Sequence, residues 1–172
     1  MDPIHRPETL QRDLQFMALA LREAEKAGDR GEVPVGAVLV LDDGRFFSAG
    51  NSVIGLSDPT AHAEILAIRA AACEIGNYRL VKSALYSTIE PCIMCMSAII
   101  HSRVDRVVFG AFDPRWGGAG SIASLHQDLR LNHHPLVTAG VMEEPCKGLI
   151  RDFFRERRAG AVKIKDAPET AD

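Results

Sequence analysis

Four side chains in two short stretches have the types and spacing to hold a metal ion and to use it. The first stretch supplies the imidazole of His62 and the carboxylate of Glu64, and the second supplies the thiols of Cys92 and Cys95. One imidazole and two thiolates suit a tetrahedral Zn²⁺ whose fourth position is left for water, as in a catalytic rather than a structural zinc site. Glu64 remains as a spare carboxylate, and we interpret it as the proton carrier beside that water.

Both stretches are expected at the beginnings of helices. Pro91 precedes Cys92, and proline is tolerated at the first position of a helix because its missing N–H has no partner there. Cys92 and Cys95 lie three residues apart and would share one face of that helix. His62 follows Pro59 at a second predicted helix start. Helix N-termini carry partial positive charge, which favours thiolates and lowers the pKa of cysteines, as zinc ligation requires.

The same residues have other interpretations. A single Cys-x-x-Cys pair could be a redox pair, or two small buried apolar side chains. A structural zinc site would usually need a fourth ligand, and the sequence has no second Cys-x-x-Cys pair to supply it. The combined order, His-x-Glu followed by Pro-Cys-x-x-Cys, matches the signature of the zinc deaminases. This match favours a catalytic zinc over a redox pair, and a redox pair over core cysteines.

Nearly the whole chain, from the first predicted helix to Arg158, resembles the cytidine and adenosine deaminase superfamily, and most closely its bacterial tRNA adenosine deaminase family. The zinc motif is common to the superfamily, whereas the later segments separate the tRNA-acting family from its relatives. The segments that carry the resemblance are residues 32–38, 50–51, 58–64, 89–92, 107–111, 118–121, 132–133 and 152–155.

The resemblance implies one Zn²⁺ per subunit and a hydrolytic reaction that converts adenosine to inosine at the wobble position of a tRNA anticodon, with release of ammonia. It implies a homodimer that binds the anticodon loop near the subunit interface, and it implies no nucleotide cofactor. Glu64 would take a proton from the attacking water and hand it to the base. The target base would be contacted by Asn51, Val33 and the backbone around Ala63 and Glu90. The flanking nucleotides would be contacted by Asp113, Arg115, Asn132, Phe154 and Arg158.

Without the resemblance, several of these residues have simpler interpretations. Asn51 could be a turn residue, and at least one of Phe153 and Phe154 is expected to belong to the core. The arginines of the last helix could form a solvated face. Trp116 could stack on RNA or cap its loop.

Two other functions compete with the one that the resemblance implies. A small-molecule deaminase acting on guanine, cytosine or a nucleoside would carry the same zinc motif, but the small-residue loop 118–121 and the arginine-rich last helix favour RNA. A non-catalytic zinc-bearing RNA-binding or assembly subunit would have no need of Glu64, which is present.

The composition is that of an ordinary globular domain. The 172 residues are 47% hydrophobic and carry a net charge of −3, which argues against non-specific nucleic-acid binding, although arginines gather between residues 151 and 158. Cys73 and Cys146 are expected as free thiols in a reducing cytosol. The first ten residues are too polar for a secretory signal and no apolar run has transmembrane length, so we expect a cytoplasmic protein without a membrane segment.

Hydrophobic periodicity predicts the elements that position the site. Helices are expected at residues 9–27, 60–75, 92–100 and 143–158, strands at 33–41, 45–51, 84–89, 104–109 and 136–141, and a loop at 113–121. The strand–helix–strand unit across residues 84–109 implies parallel pairing. The alternation predicts an α/β protein, a three-layer α/β/α sandwich around one mixed five-stranded sheet, which is the cytidine deaminase-like fold that the resemblance implies. Residues 1–158 are predicted to form a single zinc-dependent deaminase domain, and residues 159–172 a flexible C-terminal tail.

Overall fold

A computed structural model of the chain describes residues 7–165, with side-chain environments for residues 9–159. The strands are β1 (Gly36–Val40), β2 (Phe46–Gly50), β3 (Ala84–Ile89), β4 (Arg106–Ala111) and β5 (Leu136–Thr138). The helices are α1 (Pro7–Asp29), α2 (Val53–Leu56), α3 (Ala63–Ile75), α4 (Ile93–His101) and α5 (Glu143–Lys165), with a 3₁₀ turn at Leu125–Gln127. No helix among residues 7–165 combines the length and hydrophobicity needed to cross a membrane.

The five strands form one mixed sheet, as predicted, and their order in it is β2-β1-β3-β4-β5. β1 pairs antiparallel with both β2 and β3, whereas β3, β4 and β5 run parallel. The β3–β4 pair is connected through α4, which confirms the predicted crossover unit.

Helices cover both faces of this sheet, so the predicted three-layer sandwich is confirmed. Along β1, Ala37 and Leu39 pack into the core that α3 and α4 cover, whereas Val38 and Val40 pack into the core that α1 covers. This alternation follows from the two-residue period of a strand. Because both faces are buried, β1 is apolar throughout rather than alternately apolar and polar.

A buried polar network fastens α1 to the sheet. The carboxylate of Asp13, which is 2% exposed, accepts two hydrogen bonds of 2.7 Å from the guanidinium of Arg106 and one of 3.0 Å from the hydroxyl of Tyr86. Arg106 also donates to Oγ1 of Thr138 at 3.0 Å. One helix and three strands are thereby joined through a single ion pair.

Apart from shifts of up to three residues at other helix and strand ends, the structure differs from the sequence predictions at three places. The helix α2 was not predicted, because four residues are too few to show a helical period. β5 ends at Thr138 instead of 141, since Gly140 and Met142 adopt positive φ angles of 81° and 55° and turn the chain into α5. The α5 backbone continues to Lys165, seven residues beyond the predicted helix end, and residues 166–172 of the predicted tail lie outside the described residues.

The catalytic candidates meet at one edge of the sheet. The carboxyl end of β3 leads through Glu90 and Pro91 to Cys92 at the start of α4, and β1, which is antiparallel to β3, begins at the same edge. The backbone N–H of Gly36 donates to Oγ1 of Thr88 there, at 3.1 Å. We call the side of the sheet where β3 ends and β1 begins the metal edge.

Candidate active site

The three predicted metal ligands come together at two helix N-termini. His62 is the N-cap residue of α3 and Cys92 is the N-cap residue of α4, and both have extended backbones. Cys95 lies one turn into α4 and is fully buried. The ligand atoms of His62, Cys92 and Cys95 all lie within 4.8 Å of one another. Neither N-cap side chain caps its own helix, so both are available for another partner.

The donor geometry fits a tetrahedral zinc ion. Nδ1 of His62 lies 3.7 Å from Sγ of Cys92 and 3.5 Å from Sγ of Cys95. Zinc bonds of about 2.3 Å to sulfur and about 2.0 Å to nitrogen, at tetrahedral angles, would separate such a pair of donors by about 3.5 Å. The three side chains are therefore already spaced as ligands, and Nδ1 is the ligating nitrogen of His62.

The electrostatics of the cluster favour a cation. A hydrogen bond from Cys95 is the first of the causes that lower the pKa of Cys92 to about 4, followed in the same direction by His62. The same thiol pairing, together with burial, raises the pKa of Cys95. The hydrogen bond to Cys92 raises the pKa of His62. Negative charge is thus concentrated on Cys92, and a metal that displaces the protons of Cys95 and His62 gains two thiolates and a neutral imidazole.

Glu64 is a buried carboxylate with an unused acceptor. It lies in the first turn of α3, two residues after His62, and is 2% exposed. Its Oε1 accepts a hydrogen bond of 3.3 Å from the hydroxyl of Ser87, whereas Oε2 is buried without a partner. Burial is the first cause that raises the pKa of Glu64. A buried carboxylate oxygen left free beside a metal cluster is what a proton-carrying residue needs, because its acceptor is not committed to the fold.

Three residues predicted to contact the target base line the metal edge. Ala63 is fully buried at the first position of α3. Asn51 is 7% exposed, and its backbone N–H donates to the carbonyl of Val35 at 2.9 Å. Val33 is half-buried, two residues before Val35. Asn51 is therefore more than an exposed turn residue, since its backbone joins the Val33 segment to the end of β2.

The prediction for Glu90 concerned only its backbone, and the structure shows a separate role for its side chain. Its side chain is 1% exposed and points into the loop 113–121. There it accepts N–H hydrogen bonds from Asp113 at 3.1 Å, from Ala119 at 3.0 Å and from Ser121 at 3.0 Å, and a further bond from the Ser121 hydroxyl. One carboxylate thus organises a whole loop, which we call the Glu90 loop (residues 113–121).

The Glu90 loop also lies directly against the ligand-bearing helix. The N–H of Ile93, the residue after Cys92, donates to the carbonyl of Trp116 at 3.2 Å, and Gly118 donates to the carbonyl of Pro91 at 2.9 Å. Oδ1 of Asp113 accepts N–H bonds from Arg115 and Trp116 at 2.9 and 3.3 Å. Asp113 therefore builds the turn that exposes the predicted RNA contact Arg115.

The end of α5 is fastened near the segment that carries Val33. The guanidinium of Arg157 donates to the carbonyl of Gly31 and lies 5.0 Å from the ring of Phe153. Phe154 and Arg158, the sequence neighbours of these two residues, are both exposed. Phe153 is half-buried, so it is the one of the two phenylalanines that packs against the protein.

Asn132 does not join these residues within one subunit. Its side chain accepts a hydrogen bond of 2.6 Å from Arg103, at the C-terminal end of α4. The next residue, His133, donates to the carbonyl of Val104 at 2.6 Å, just before β4. Both contacts lie at the opposite end of β4 from the metal edge, a span of roughly 17 Å for the strand alone.

Sequence reasoning overlooked two further residues of the site. Ser87 lies in β3 and holds Glu64, and its signal was the polar pair Ser87 and Thr88 inside a buried strand. Glu32 is 3% exposed and accepts N–H bonds from Ile54 and Gly55 at the start of α2, at 3.2 and 2.7 Å. No local pattern indicated Glu32, because its partners lie more than twenty residues away.

Comparison with known proteins agrees with this geometry. The family model described as the cytidine and deoxycytidylate deaminase zinc-binding region matches residues 10–111, more than half of the chain. The match includes the three candidate ligands and Glu64, but it ends before the Glu90 loop and α5.

Curated relatives cover those later parts as well. The chain is 50% identical over 147 residues to the tRNA-specific adenosine deaminase of Haemophilus influenzae, covering 85% of each chain. It is 45% identical over 149 residues to that of Bacillus subtilis, covering 87% of this chain and 92% of the relative.

Solved structures also place the chain among deaminases. A structure from a study of A-to-I editing by tRNA:A34 deaminases is 45% identical, with a TM-score of 0.76, over 78% of this chain and 98% of that one. A guanine deaminase from Bacillus subtilis is 38% identical, with a TM-score of 0.54, over 57% of this chain and 63% of that one. With the ligand cluster and the free carboxylate of Glu64 in place, the chain belongs to the zinc-dependent cytidine and deoxycytidylate deaminase family, among the tRNA-specific adenosine deaminases.

Proposed function

We propose that the protein hydrolyses adenosine to inosine at the wobble position of a tRNA anticodon. The observation that carries the proposal is the free Oε2 of Glu64 beside the cluster of His62, Cys92 and Cys95. The tRNA part of the proposal is supported by the tRNA-specific adenosine deaminases, since a match over 147 of the 172 residues must include the Glu90 loop.

The zinc ion held by His62, Cys92 and Cys95 would supply the acidity that makes water a nucleophile near neutral pH. Glu64 accepts one proton of the attacking water on Oε2 and delivers it to the base, so that water replaces the exocyclic amine and ammonia leaves. The Ser87 hydrogen bond holds the carboxylate in place while the other oxygen exchanges protons. No nucleotide cofactor takes part in this scheme, because water and base balance the reaction.

The target base reaches this site flipped out of the anticodon loop. Asn51, Val33 and the backbone at Ala63 are placed to form the base pocket, since all three lie at the metal edge. Asp113 and Arg115 lie in the Glu90 loop and Phe154 and Arg158 lie in α5, and these four residues are proposed to contact flanking nucleotides. Asn132 belongs to this set only if bound RNA extends beyond the metal edge, toward the far end of α4.

We further propose that the enzyme is a cytoplasmic homodimer with one zinc per subunit, that residues 1–158 form its single catalytic domain, and that residues 159–172 are dispensable for deamination. Sedimentation of the zinc-loaded protein would test the dimer, and a monomer at micromolar concentration would contradict it. Deletion of residues 159–172 should leave the turnover of RNA unchanged.

A guanine deaminase is the second candidate, because a member with that activity is 38% identical over more than half of this chain. It would share the zinc ligands and Glu64, and it would not need the exposed arginines of α5. Its prediction is turnover of free guanine with no preference for RNA.

The experiment is inosine formation on a synthetic anticodon stem-loop with adenosine at the wobble position, with wild-type protein and Glu64→Ala. We expect wild-type protein to form inosine and the variant to be inactive while it keeps its zinc. Zinc-loaded wild-type protein that is inactive on this stem-loop and on full tRNA would refute the tRNA proposal. Turnover of guanine or cytidine would then identify the small-molecule alternative, and no turnover of any substrate would leave the non-catalytic one.

A further inference from the structure

Trp116 is an exposed aromatic side chain held by a rigid, buried anchor. It is 67% exposed, and it is the one tryptophan of the chain. Its backbone is fixed on both sides, because its N–H donates to Asp113 and its carbonyl accepts from Ile93. Because most of this residue stays in contact with solvent, its burial contributes little to the stability of the fold.

The backbone of Trp116 lies next to a metal ligand. Ile93 directly follows Cys92, and its hydrogen bond to Trp116 spans 3.2 Å. Cys92 and Gly117 also form an isolated β-bridge. The indole is therefore carried by the residue adjoining that bridge, at the rim of the site where the target base must enter.

The charges around Trp116 suit a nucleic acid. The carboxylates of Glu90 and Asp113 are both directed at backbone N–H groups of the Glu90 loop, so neither projects freely into solvent. The neighbouring exposed side chain is the cation Arg115. An exposed aromatic ring beside a cation is the usual platform for an unpaired base, which stacks on the ring while the cation meets the phosphate.

We propose that Trp116 is a stacking platform for an unpaired nucleotide next to the target base, and that the buried carboxylate of Glu90 is the positioning residue that holds the platform. The proposal rests on the RNA deaminase function above. Trp116 would bind the RNA directly, whereas the Glu90 carboxylate would act indirectly, because its hydrogen bonds are to the loop.

The single tryptophan provides a direct measurement. Zinc-loaded wild-type protein should lose tryptophan emission when titrated with the anticodon stem-loop RNA, because a stacked base quenches an indole. Trp116→Ala should raise KM for that RNA by about 5- to 150-fold, the range for removing one base–aromatic stack, with kcat little changed. Trp116→Phe should retain most of the affinity, since a phenyl ring still stacks.

Tyr78 offers a matched control, since it is 64% exposed and precedes β3 at the end of the sheet opposite the metal edge. Tyr78→Ala should leave KM unchanged.

Glu90→Gln removes one acceptor oxygen and sets amide donors against loop N–H groups. It should raise KM, shift the emission of free Trp116 and weaken RNA quenching, with zinc content and kcat retained.

Two results would overturn the inference without touching the proposed function. The first is normal inosine formation by wild-type protein with no RNA-dependent quenching and an unchanged KM in Trp116→Ala. The second is an emission that changes on dilution of the protein instead of on addition of RNA, which would place Trp116 in a subunit interface. If wild-type protein forms no inosine at all, the proposed function is wrong. Quenching of Trp116 emission by RNA would then still support Trp116 as an RNA-binding residue, and its absence would contradict that role.

Discussion

Nδ1 of His62 lies 3.5 Å from Sγ of Cys95, although 33 residues separate them in the chain. The contact joins the N-cap of α3 to the first turn of α4, so it depends on two helices starting at the same edge of one sheet. The free-energy cost of holding these two atoms so close is small when both bind the same metal ion. Without a metal ion, only a weak hydrogen bond would join the buried thiol to the imidazole.

Substitution should distinguish the zinc-binding cysteines from the other cysteines of the chain by their effect on zinc affinity. We expect Cys92→Ser to lose more zinc affinity than the roughly 10- to 100-fold typical of outer partners of metal ligands, because a direct ligand is removed. Deamination should be lost with the metal. Cys73→Ser is the matched control, since Cys73 is an exposed free thiol. Zinc bound per subunit, measured by atomic emission after dialysis, checks the prediction, and full zinc content in Cys92→Ser would contradict the assignment.

Glu64→Gln should separate proton transfer from metal binding. The amide keeps the shape of the side chain and a hydrogen-bonding group toward Ser87, so folding and zinc content should persist. We expect kcat to fall by about 10²- to 10⁴-fold, the usual contribution of a general acid–base group. KM for the anticodon stem-loop should change little, because Glu64 acts in proton transfer at the reacting atoms and not in binding the rest of the RNA. A variant with near-normal kcat would remove Glu64 from the mechanism.

The zinc site was predictable from the sequence because its signals are local. Pro91 and the spacing of Cys92 and Cys95 mark one helix start, and the structure places His62 at the other. The role of the Glu90 side chain was not predictable, because its partners lie 23 to 31 residues away and are backbone N–H groups that any sequence provides. The position of Asn132 in the fold could not be predicted for a similar reason, since chain order does not show at which end of β4 a loop lies.

The five strands and the parallel crossover unit could likewise be predicted from the sequence, whereas the contacts between the sheet and α1 could not. Apolar runs bounded by turn residues located all five strands. The ion pair between Asp13 and Arg106 joins residues 93 apart, and an aspartate in an amphipathic helix ordinarily faces solvent. Its burial is visible only once α1 lies on the sheet.

The Asp13 network predicts a specific loss of stability in alkali. Burial is the first cause that raises the pKa of Tyr86 above its ordinary value of 10.0. Above about pH 10 the unfolded chain loses this proton while the folded chain keeps it, so the free energy of unfolding falls as pH rises. Tyr86→Phe should lack this decline, and Tyr78→Phe should retain it because Tyr78 is exposed. Urea unfolding between about pH 9 and pH 11 measures the difference, and equal declines in Tyr86→Phe and wild type would contradict it.

The arginines at the end of α5 should make RNA binding depend on salt. Each phosphate contact to single-stranded RNA contributes about −0.7 to the slope of log affinity against log salt. We expect Arg158→Ala to make this slope shallower by about that amount. Arg45→Ala is the control, because Arg45 is an exposed arginine in the β1–β2 turn, away from the metal edge. Fluorescence anisotropy of labelled stem-loop across a salt series tests this, and a flat salt dependence in wild type would show that phosphate contacts are not involved.

Gly117 should be less replaceable than Gly118 in the Glu90 loop. A Cβ there would lie 2.3 to 2.5 Å from the carboxylate of Glu90, whereas one at Gly118 would lie 3.0 to 3.2 Å from the backbone of Cys92 and Ile93. Gly117→Ala must therefore displace either the loop or its anchor, at a cost of about 1 to 3 kcal/mol for overpacking. We expect KM for RNA to rise more in Gly117→Ala than in Gly118→Ala. Gly148→Ala should leave KM unchanged, because its Cβ would meet only the tip of Arg151 at 4.0 Å. Equal KM values in all three variants would mean that the contact between Glu90 and its loop does not set the shape of the RNA-binding rim.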